Sequence, residues 1–259
     1  MTALIIYARL PIWSWRASRT ERHGMLGNFL EISIQTADIL ASLDFYMRLG
    51  FERAPVNDVW THPYAVLTDG HVYLGLHQQA FPSPSLTFVQ PQLRRQVAEF
   101  ETLGIQFEFC KLGEDQFNEA GFYDPDRQMI TLLEARTCSP VNTRVSGALC
   151  GYFDEYRLPV RNLQASCRFW EQLGLINAGP DVKQPHRVRL ATGGLNLGLQ
   201  ESATPGRPLM VFVHTRPEDL AQQLLQRNIP VTPAATSPAA GVSLTAPEGT
   251  QLLIIGNDS

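Results

Sequence analysis

Residues 29–35 alternate between two faces, with Phe29, Glu31 and Ser33 on one and Leu30, Ile32 and Ile34 on the other. A period of two predicts a strand with one buried face. From about Asp38 the period lengthens: Ile39, Leu43, Tyr46 and Met47 recur at helical spacing, and the run stops at Gly50. Three later segments behave alike. One carries Leu93, Val97, Phe100 and Leu103 and stops at Gly104; another carries Leu163, Cys167, Trp170 and Leu173 and stops at Gly174. The last starts at Pro217, with Glu218 and Asp219 in its first turn, carries Leu220 and Leu224, and stops at Asn228. Pro and acids suit a helix start. Gly or Asn tolerates the left-handed conformation that closes a helix, and Phe51, Ile105, Leu175 and Ile229 follow as the apolar contacts of Schellman-type ends.

The four stops lie 54, 70 and 54 residues apart, so a unit of about 55 residues occurs twice and the pair recurs at an offset of 124. Other landmarks keep this register. Glu31 and Glu155 are 124 apart, Leu74-Gly75-Leu76-His77 and Leu197-Gly198-Leu199-Gln200 are 123 apart, and the turns Asp124-Pro125-Asp126 and Ala246-Pro247-Glu248-Gly249 are 122 apart. The 16 extra residues of the middle gap fall near Arg136 to Gly147, a stretch with Thr137, Ser139, Pro140, Asn142 and Ser146 that reads as a linker. The expected organisation is a tail over 1–25, a first domain over 26–136, a linker over 137–149 and a second domain over 150–259. The first 24 residues set Arg9, Arg16, Arg19 and Arg22 against Glu21, and Leu4-Ile5-Ile6-Tyr7 is too short for a signal-peptide core. A disordered tail, a true start at Met25 and a weak transit-like segment all stay open.

Within the first unit, strands are expected near 58–68 and 71–77 around Asp69-Gly70, with Val72, Leu74 and Leu76 on one face and Tyr73, Gly75 and His77 on the other. The second unit begins with Leu86-Thr87-Phe88-Val89 and ends with Met129-Ile130-Thr131-Leu132-Leu133; the third runs from near Phe153 to Leu195–Gln200, the fourth from Leu209–Val213 to Leu252–Ile255. Each unit places one helix on one face of a small sheet and leaves the other face to line a cavity.

Composition narrows the function. The 259 residues are 44% hydrophobic and 18% charged, enough for two ordinary domains and against general disorder. A net charge of −4 provides no field for nucleic acid or a membrane surface, and no run of 18 apolar residues is present to span a bilayer. Cys110, Cys138, Cys150 and Cys167 form neither CxxC nor zinc-ligand spacing, which suits buried or incidental thiols of a reducing, cytoplasmic compartment. GxSxG, P-loop, HExxH and dinucleotide fingerprints are missing.

The run Ala41-Ser42-Leu43-Asp44-Phe45-Tyr46-Met47-Arg48-Leu49-Gly50-Phe51, its counterpart Ala165-Ser166-Cys167-Arg168-Phe169-Trp170-Glu171-Gln172-Leu173-Gly174-Leu175, and Gly121-Phe122-Tyr123-Asp124-Pro125-Asp126 resemble the vicinal oxygen chelate superfamily. That superfamily includes glyoxalase I, extradiol dioxygenases, fosfomycin-resistance enzymes and bleomycin-binding proteins. The resemblance covers about residues 28–256 and implies an α+β fold: four βαβββ units forming two glyoxalase-like domains with cupped mixed β-sheets. It also implies metal-ligand positions on the first and last strands of each unit. They fall on Glu31, Gly75, near Ser85 and on Thr131 in the first domain, and on Glu155, Gly198, about Leu209 and Leu253 in the second. A catalytic divalent metal needs about three protein ligands, so one carboxylate per domain falls short.

The candidate site residues follow from these positions. His77 shares a strand face with Gly75, so Glu31 and His77 are expected in one cavity, with Tyr73, Trp60 and Thr131 as further ligand-binding residues. His62 and Tyr64 extend an aromatic cluster with Trp60 and Tyr73. In the second domain Glu155 and Gln200 hold the corresponding places, and Arg157, Arg187 and Arg189 predict an ion pair with Glu155. Glu31 is the candidate general base. No cofactor is favoured; a divalent metal, if bound, takes Glu31 and His77. The reading is a small-molecule-binding protein of the glyoxalase/bleomycin-resistance type without a catalytic metal. Its alternatives are a metal-dependent lyase, isomerase or dioxygenase with its site in the first domain, and a regulatory or scaffold module. The expected partner is a small organic molecule, with no nucleic acid and no membrane; whether a homodimer forms stays open.

Overall fold

A computed structural model of the chain describes residues 25–55, 61–114, 116–135, 148–180, 184–204, 206–233 and 241–257. The predicted tail up to residue 24, Trp60, Cys138 and most of the predicted linker lie outside the described residues.

The first half runs β1 (Asn28–Gln35), α1 (Ile39–Arg48), β2 (Glu52–Ala54), β3 (Tyr64–Thr68), β4 (Tyr73–His77), β5 (Ser85–Gln90), α2 (Leu93–Thr102), β6 (Phe107–Lys111), β7 (Glu119–Tyr123) and β8 (Met129–Glu134). The second repeats it with β9 (Tyr152–Val160), α3 (Leu163–Gln172), β10 (Ile176–Pro180), β11 (Arg187–Thr192), β12 (Leu195–Glu201), β13 (Leu209–His214), α4 (Pro217–Gln226), β14 (Thr232–Pro233), β15 (Val242–Thr245) and β16 (Gln251–Gly256). The architecture is α+β, with two mixed eight-stranded sheets ordered β2-β3-β4-β1-β5-β8-β7-β6 and β10-β11-β12-β9-β13-β16-β15-β14.

The helix boundaries have local causes. The Asp38 carboxylate accepts from the backbone N–H of Leu40 and Ala41 at 3.0 and 3.1 Å, and Asn162 Oδ1 accepts from Ala165 N at 3.0 Å. At the other ends, Phe51 N donates to Tyr46 O, Ile105 N to Phe100 O, Leu175 N to Trp170 O and Ile229 N to Leu224 O, all within 3.1 Å. This is the Schellman bond, and it requires the positive φ seen at Asn228 (56°) as at the three glycines before it.

Within each sheet the units join in chain order. β1 is antiparallel to β5 and parallel to β4, and β5 is parallel to β8; β9, β13, β12 and β16 repeat that arrangement. One face buries Ile32, Leu74, Leu86, Phe88, Ile130 and Leu132 with Tyr46 and Phe100 of the helices. The opposite face carries Glu31, Ser33, Thr87 and Thr131.

Three expectations need correction. Phe29 does not share a face with Glu31: it pairs with the core residue Phe88 while Glu31 pairs with Thr87, so Leu30 is an extra residue in the strand. Such a bulge flips the alternation locally. The repeat has the same device, since Phe153 pairs with Phe212 and Glu155 with Val211. Second, the strand expected from residue 58 begins at Tyr64; residues 56–60 lie outside the described residues, and 61–63 form a bend. Third, the second-unit positions beside the two glutamates are Thr87 and Val211, not Ser85 and Leu209, because the bulges shift the antiparallel register.

The repeated turns clasp the halves together. Ser42 and Tyr46 of α1 donate their hydroxyls to Glu248 Oε2 and Oε1 at 2.8 and 2.7 Å. Reciprocally, Asp126 accepts from Ser166 Oγ at 2.7 Å and from Arg161 N at 2.9 Å.

Candidate functional site in the first cup

β1 and β4 bring Glu31 and His77 together on the face that the helices leave open. Glu31 is only 3% exposed, although its carboxylate carries charge in water. Its Oε1 accepts from Ser33 Oγ at 2.8 Å and faces His77 Nε2 at 3.4 Å; its Oε2 accepts from Tyr64 Oη at 2.8 Å. Gly75 makes the space: a Cβ there would lie 2.0 Å from Glu31 Oε1.

A chain of polar groups leads outward. His77 Nδ1 lies 2.9 Å from Nε2 of the half-buried His62, so Glu31, His77 and His62 form a hydrogen-bonded series. Burial, and then the neighbouring His77 imidazole, lower the pKa of His62. The rings pack as well, Tyr64 on His77 at 4.4 Å between centroids and His77 edge-on to Phe81 at 5.4 Å.

Across the sheet the floor is lined with hydroxyls. Ser33 and Thr87 share a hydrogen bond of 2.7 Å, as do Ser85 and Thr131. At the far side Phe109 lies over Gly121, where a Cβ would meet its ring at 2.3 Å. Glycine thus admits a carboxylate at one side of this face and an aromatic ring at the other.

The sequence reading brings Glu31, His77 and Thr131 to one face, and the structure places them there. Tyr73 stands half-buried opposite Thr68, on the same strand face as Gly75. Trp60 is outside the described residues. Tyr64 and His62, read from sequence only as aromatic lining, are hydrogen-bonding members of the network. Ser33 shares the Glu31 face by strand alternation, whereas Thr87, Phe81 and Phe109 carry no sequence signal; strand register and the two glycines reveal them.

The second cup is built differently. Glu155 is fully buried and meets Arg157 Nε at 2.7 Å, Arg187 Nη2 at 2.5 Å and Arg189 Nη2 at 3.0 Å. Burial alone would raise the Glu155 pKa, but the three arginines outweigh it and hold the carboxyl below its ordinary value. Arg189 also pairs with Asp154. Gln200 does not join Glu155: its amide donates to the His186 carbonyl at 3.3 Å. A Cβ on Gly198 would meet Glu155 Oε1 at 2.6 Å, the counterpart of Gly75 and Glu31.

Of the strand positions expected to hold a metal, Gly75 and Gly198 have no side chain, and the remaining ones, with Thr87 and Val211 in the places expected near Ser85 and Leu209, form one row per sheet, Glu31–Thr87–Thr131 and Glu155–Val211–Leu253. Neither row has three ligand side chains, and Glu155 is already committed to guanidinium groups. Among the described residues no group of three or more His, Cys, Asp or Glu side chains is placed to hold one ion. These residues do not fit a three-ligand metal centre. No described helix is long and apolar enough to cross a membrane.

No protein-family profile matches the sequence, and no curated protein matches it. Solved structures share its fold. A homoprotocatechuate 2,3-dioxygenase variant from Brevibacterium fuscum, in complex with HPCA, is 14% identical, with a TM-score of 0.61 over 90% of this chain and 71% of that one. The 2,3-dioxygenase LapB from Pseudomonas sp. KL28 is 13% identical, with a TM-score of 0.60 over 90% of this chain and 93% of that one. A catechol 2,3-dioxygenase is 15% identical, with a TM-score of 0.55 over 89% of this chain and 87% of that one. The fold is that of the extradiol dioxygenases.

Proposed function

We propose that the chain binds a small organic molecule in the first cup, with Glu31 as the anchoring group. The observation that carries this reading is the network of Ser33, Tyr64 and His77 around a carboxylate that is nearly inaccessible to water. Convergent polar groups bordered by apolar and aromatic side chains are what small-ligand sites offer. Thr87 and Thr131 supply hydroxyls on the floor, and Phe81 and Phe109 supply apolar walls. Glu31 is also the group suited to accept a proton from a bound molecule, and His77 and His62 provide its route outward. The second cup, with its carboxylate neutralised internally, serves as scaffold.

A metal-dependent dioxygenase is the second reading, favoured by the folds of the neighbours. Glu31 Oε1 and His77 Nε2 are 3.4 Å apart. These two side chains would be the ones to hold a metal, which would supply the oxygen chemistry of such an enzyme. The site remains one protein ligand short.

Elemental analysis of protein purified without chelator or metal-binding tag separates the two, with His77→Ala beside it. The binding reading expects no stoichiometric transition metal. It also expects thermal-shift hits from a library of small aromatics that disappear in Glu31→Gln. About one metal per chain, lost in His77→Ala, would overturn it in favour of the dioxygenase.

A further inference from the structure

The chain contains its own control for the first cup. Strand register equates Glu31 with Glu155, Ser33 with Arg157, Tyr64 with Arg187, Val66 with Arg189 and His77 with Gln200. Both glutamates are buried, both follow a bulge, and both lie over a glycine of the neighbouring strand. Their surroundings differ in charge. Glu155 meets three guanidinium groups. Glu31 meets two neutral hydroxyls and the His77 imidazole at 3.4 Å, which is an ion pair only when that ring is protonated; among the described residues no permanent cation, lysine or arginine, reaches it within ion-pair distance.

A buried carboxylate without a cation is costly, and the second cup shows how this fold meets that cost. We infer that in the first cup the cation comes from the ligand. The site takes a small organic cation, an ammonium or amidinium on an apolar or aromatic body, whose charged group sits at Glu31 as the arginines sit at Glu155. This rests on the reading of the first cup as a small-molecule site. The rings agree with it, since Tyr64 packs on His77 and His77 meets Phe81 edge to face beside the carboxylate, and aromatic faces attract organic cations. Tyr64 and His62 are the half-buried side chains next to buried Glu31, so the route to the carboxylate runs past them.

The test is calorimetric titration of the full chain near neutral pH with benzylamine, benzyl alcohol and benzoate. These probes share a ring and differ in charge. Benzylamine is expected to bind at least about tenfold more tightly than the other two, a difference worth ~1.4 kcal/mol. Glu31→Gln should abolish that preference. So should Tyr64→Arg, which installs at the matching register position the guanidinium that the second cup uses. Equal or tighter binding of the alcohol or the benzoate overturns the cationic inference while leaving small-molecule binding standing. Binding of none of the three also overturns it, and the wider library screen then decides separately whether the cup takes any ligand. A ligand-free readout completes the test. Glu31→Gln should leave the melting temperature unchanged or raise it, whereas Glu155→Gln should lower it by several degrees. Equal falls in both variants would show that Glu31 already has an internal cation, and would sink the inference.

Discussion

Gly75 and Glu31 occupy one space: a Cβ on Gly75 would lie 2.0 Å from the Glu31 Oε1 atom, closer than any unbonded contact allows. The glycine is a condition of the site, because the carboxylate reaches the middle of the open face only by lying over it. Gly75→Ala should therefore displace the carboxylate from Ser33 and Tyr64 and destabilise the chain by about 1–3 kcal/mol, the usual cost of overpacking. The same substitution in a Glu31→Ala background should cost less than half as much, since the clash is then gone. A double-mutant cycle by urea denaturation measures the coupling. Additive effects would mean that the glycine serves the backbone and not the carboxylate.

Glu155 tests the opposite arrangement. With three arginines around a fully buried carboxylate, Glu155→Gln leaves guanidinium groups without their counter-charge, and a loss of about 3–5 kcal/mol is expected. The folded pKa of Glu155 is depressed, so this stabilisation is present above the unfolded carboxylate pKa and is lost as pH falls through the lower folded value. Wild type and Glu155→Gln should thus converge in strongly acid solution. Denaturation curves at several acid pH values check the convergence.

How much of this was legible in the sequence depends on which interaction fixed each feature. The helix ends were legible because they are local: Gly50, Gly104, Gly174 and Asn228 each close a turn whose apolar partner is the next residue. The pairing of Glu31 with His77 followed from the strand positions that the family resemblance implies, together with the strand period that puts His77 on the Gly75 face. The residue opposite Glu31 on β5 did not, because a bulge at Leu30 shifts that register and puts Thr87 there instead of Ser85, and a bulge has no signature in an alternating pattern. Tyr64 was visible only as an aromatic residue; that it matches Arg187 emerges once β3 and β11 are paired with β4 and β12. That the Gln200 amide donates to the His186 carbonyl was likewise not legible, since it depends on how β11 and β12 end.

The clasp between the halves makes a prediction of its own. The Tyr46 hydroxyl is buried and donates to Glu248 Oε1 at 2.7 Å, and burial, then the Glu248 charge, push its pKa well up. It remains a donor throughout the neutral range. Tyr46→Phe removes a hydrogen bond to a charged acceptor, worth about 1.5–3 kcal/mol. Ser42→Ala removes the second donor to the same carboxylate and should be non-additive with Tyr46→Phe, since both hydroxyls solvate one charge. If neither variant shifts the urea midpoint, the clasp contributes nothing to stability.

Asp124 gives the pH dependence an unusual sign. It is 3% exposed, and its Oδ1 accepts from the backbone N–H groups of Asp126 and Gln128 at 2.9 and 2.7 Å. Burial nevertheless dominates these bonds and raises its pKa from 3.8 to about 6. The folded state therefore holds the proton more tightly than the unfolded chain does. The associated stabilisation is complete below the unfolded pKa of 3.8 and is lost as pH rises through about 6. A shift of this size corresponds to ~3 kcal/mol. Asparagine keeps the Oδ1 acceptor and cannot ionise, so Asp124→Asn should escape the loss. Relative to that variant, wild type should lose about 2–3 kcal/mol of unfolding free energy between acid and neutral pH, with the change centred between the two pKa values. Urea denaturation of both proteins across that range measures the difference directly, and common titrations elsewhere in the chain cancel. A difference that stays flat, or grows in favour of wild type as pH rises, would mean that the two backbone hydrogen bonds outweigh burial and that Asp124 is held as the anion.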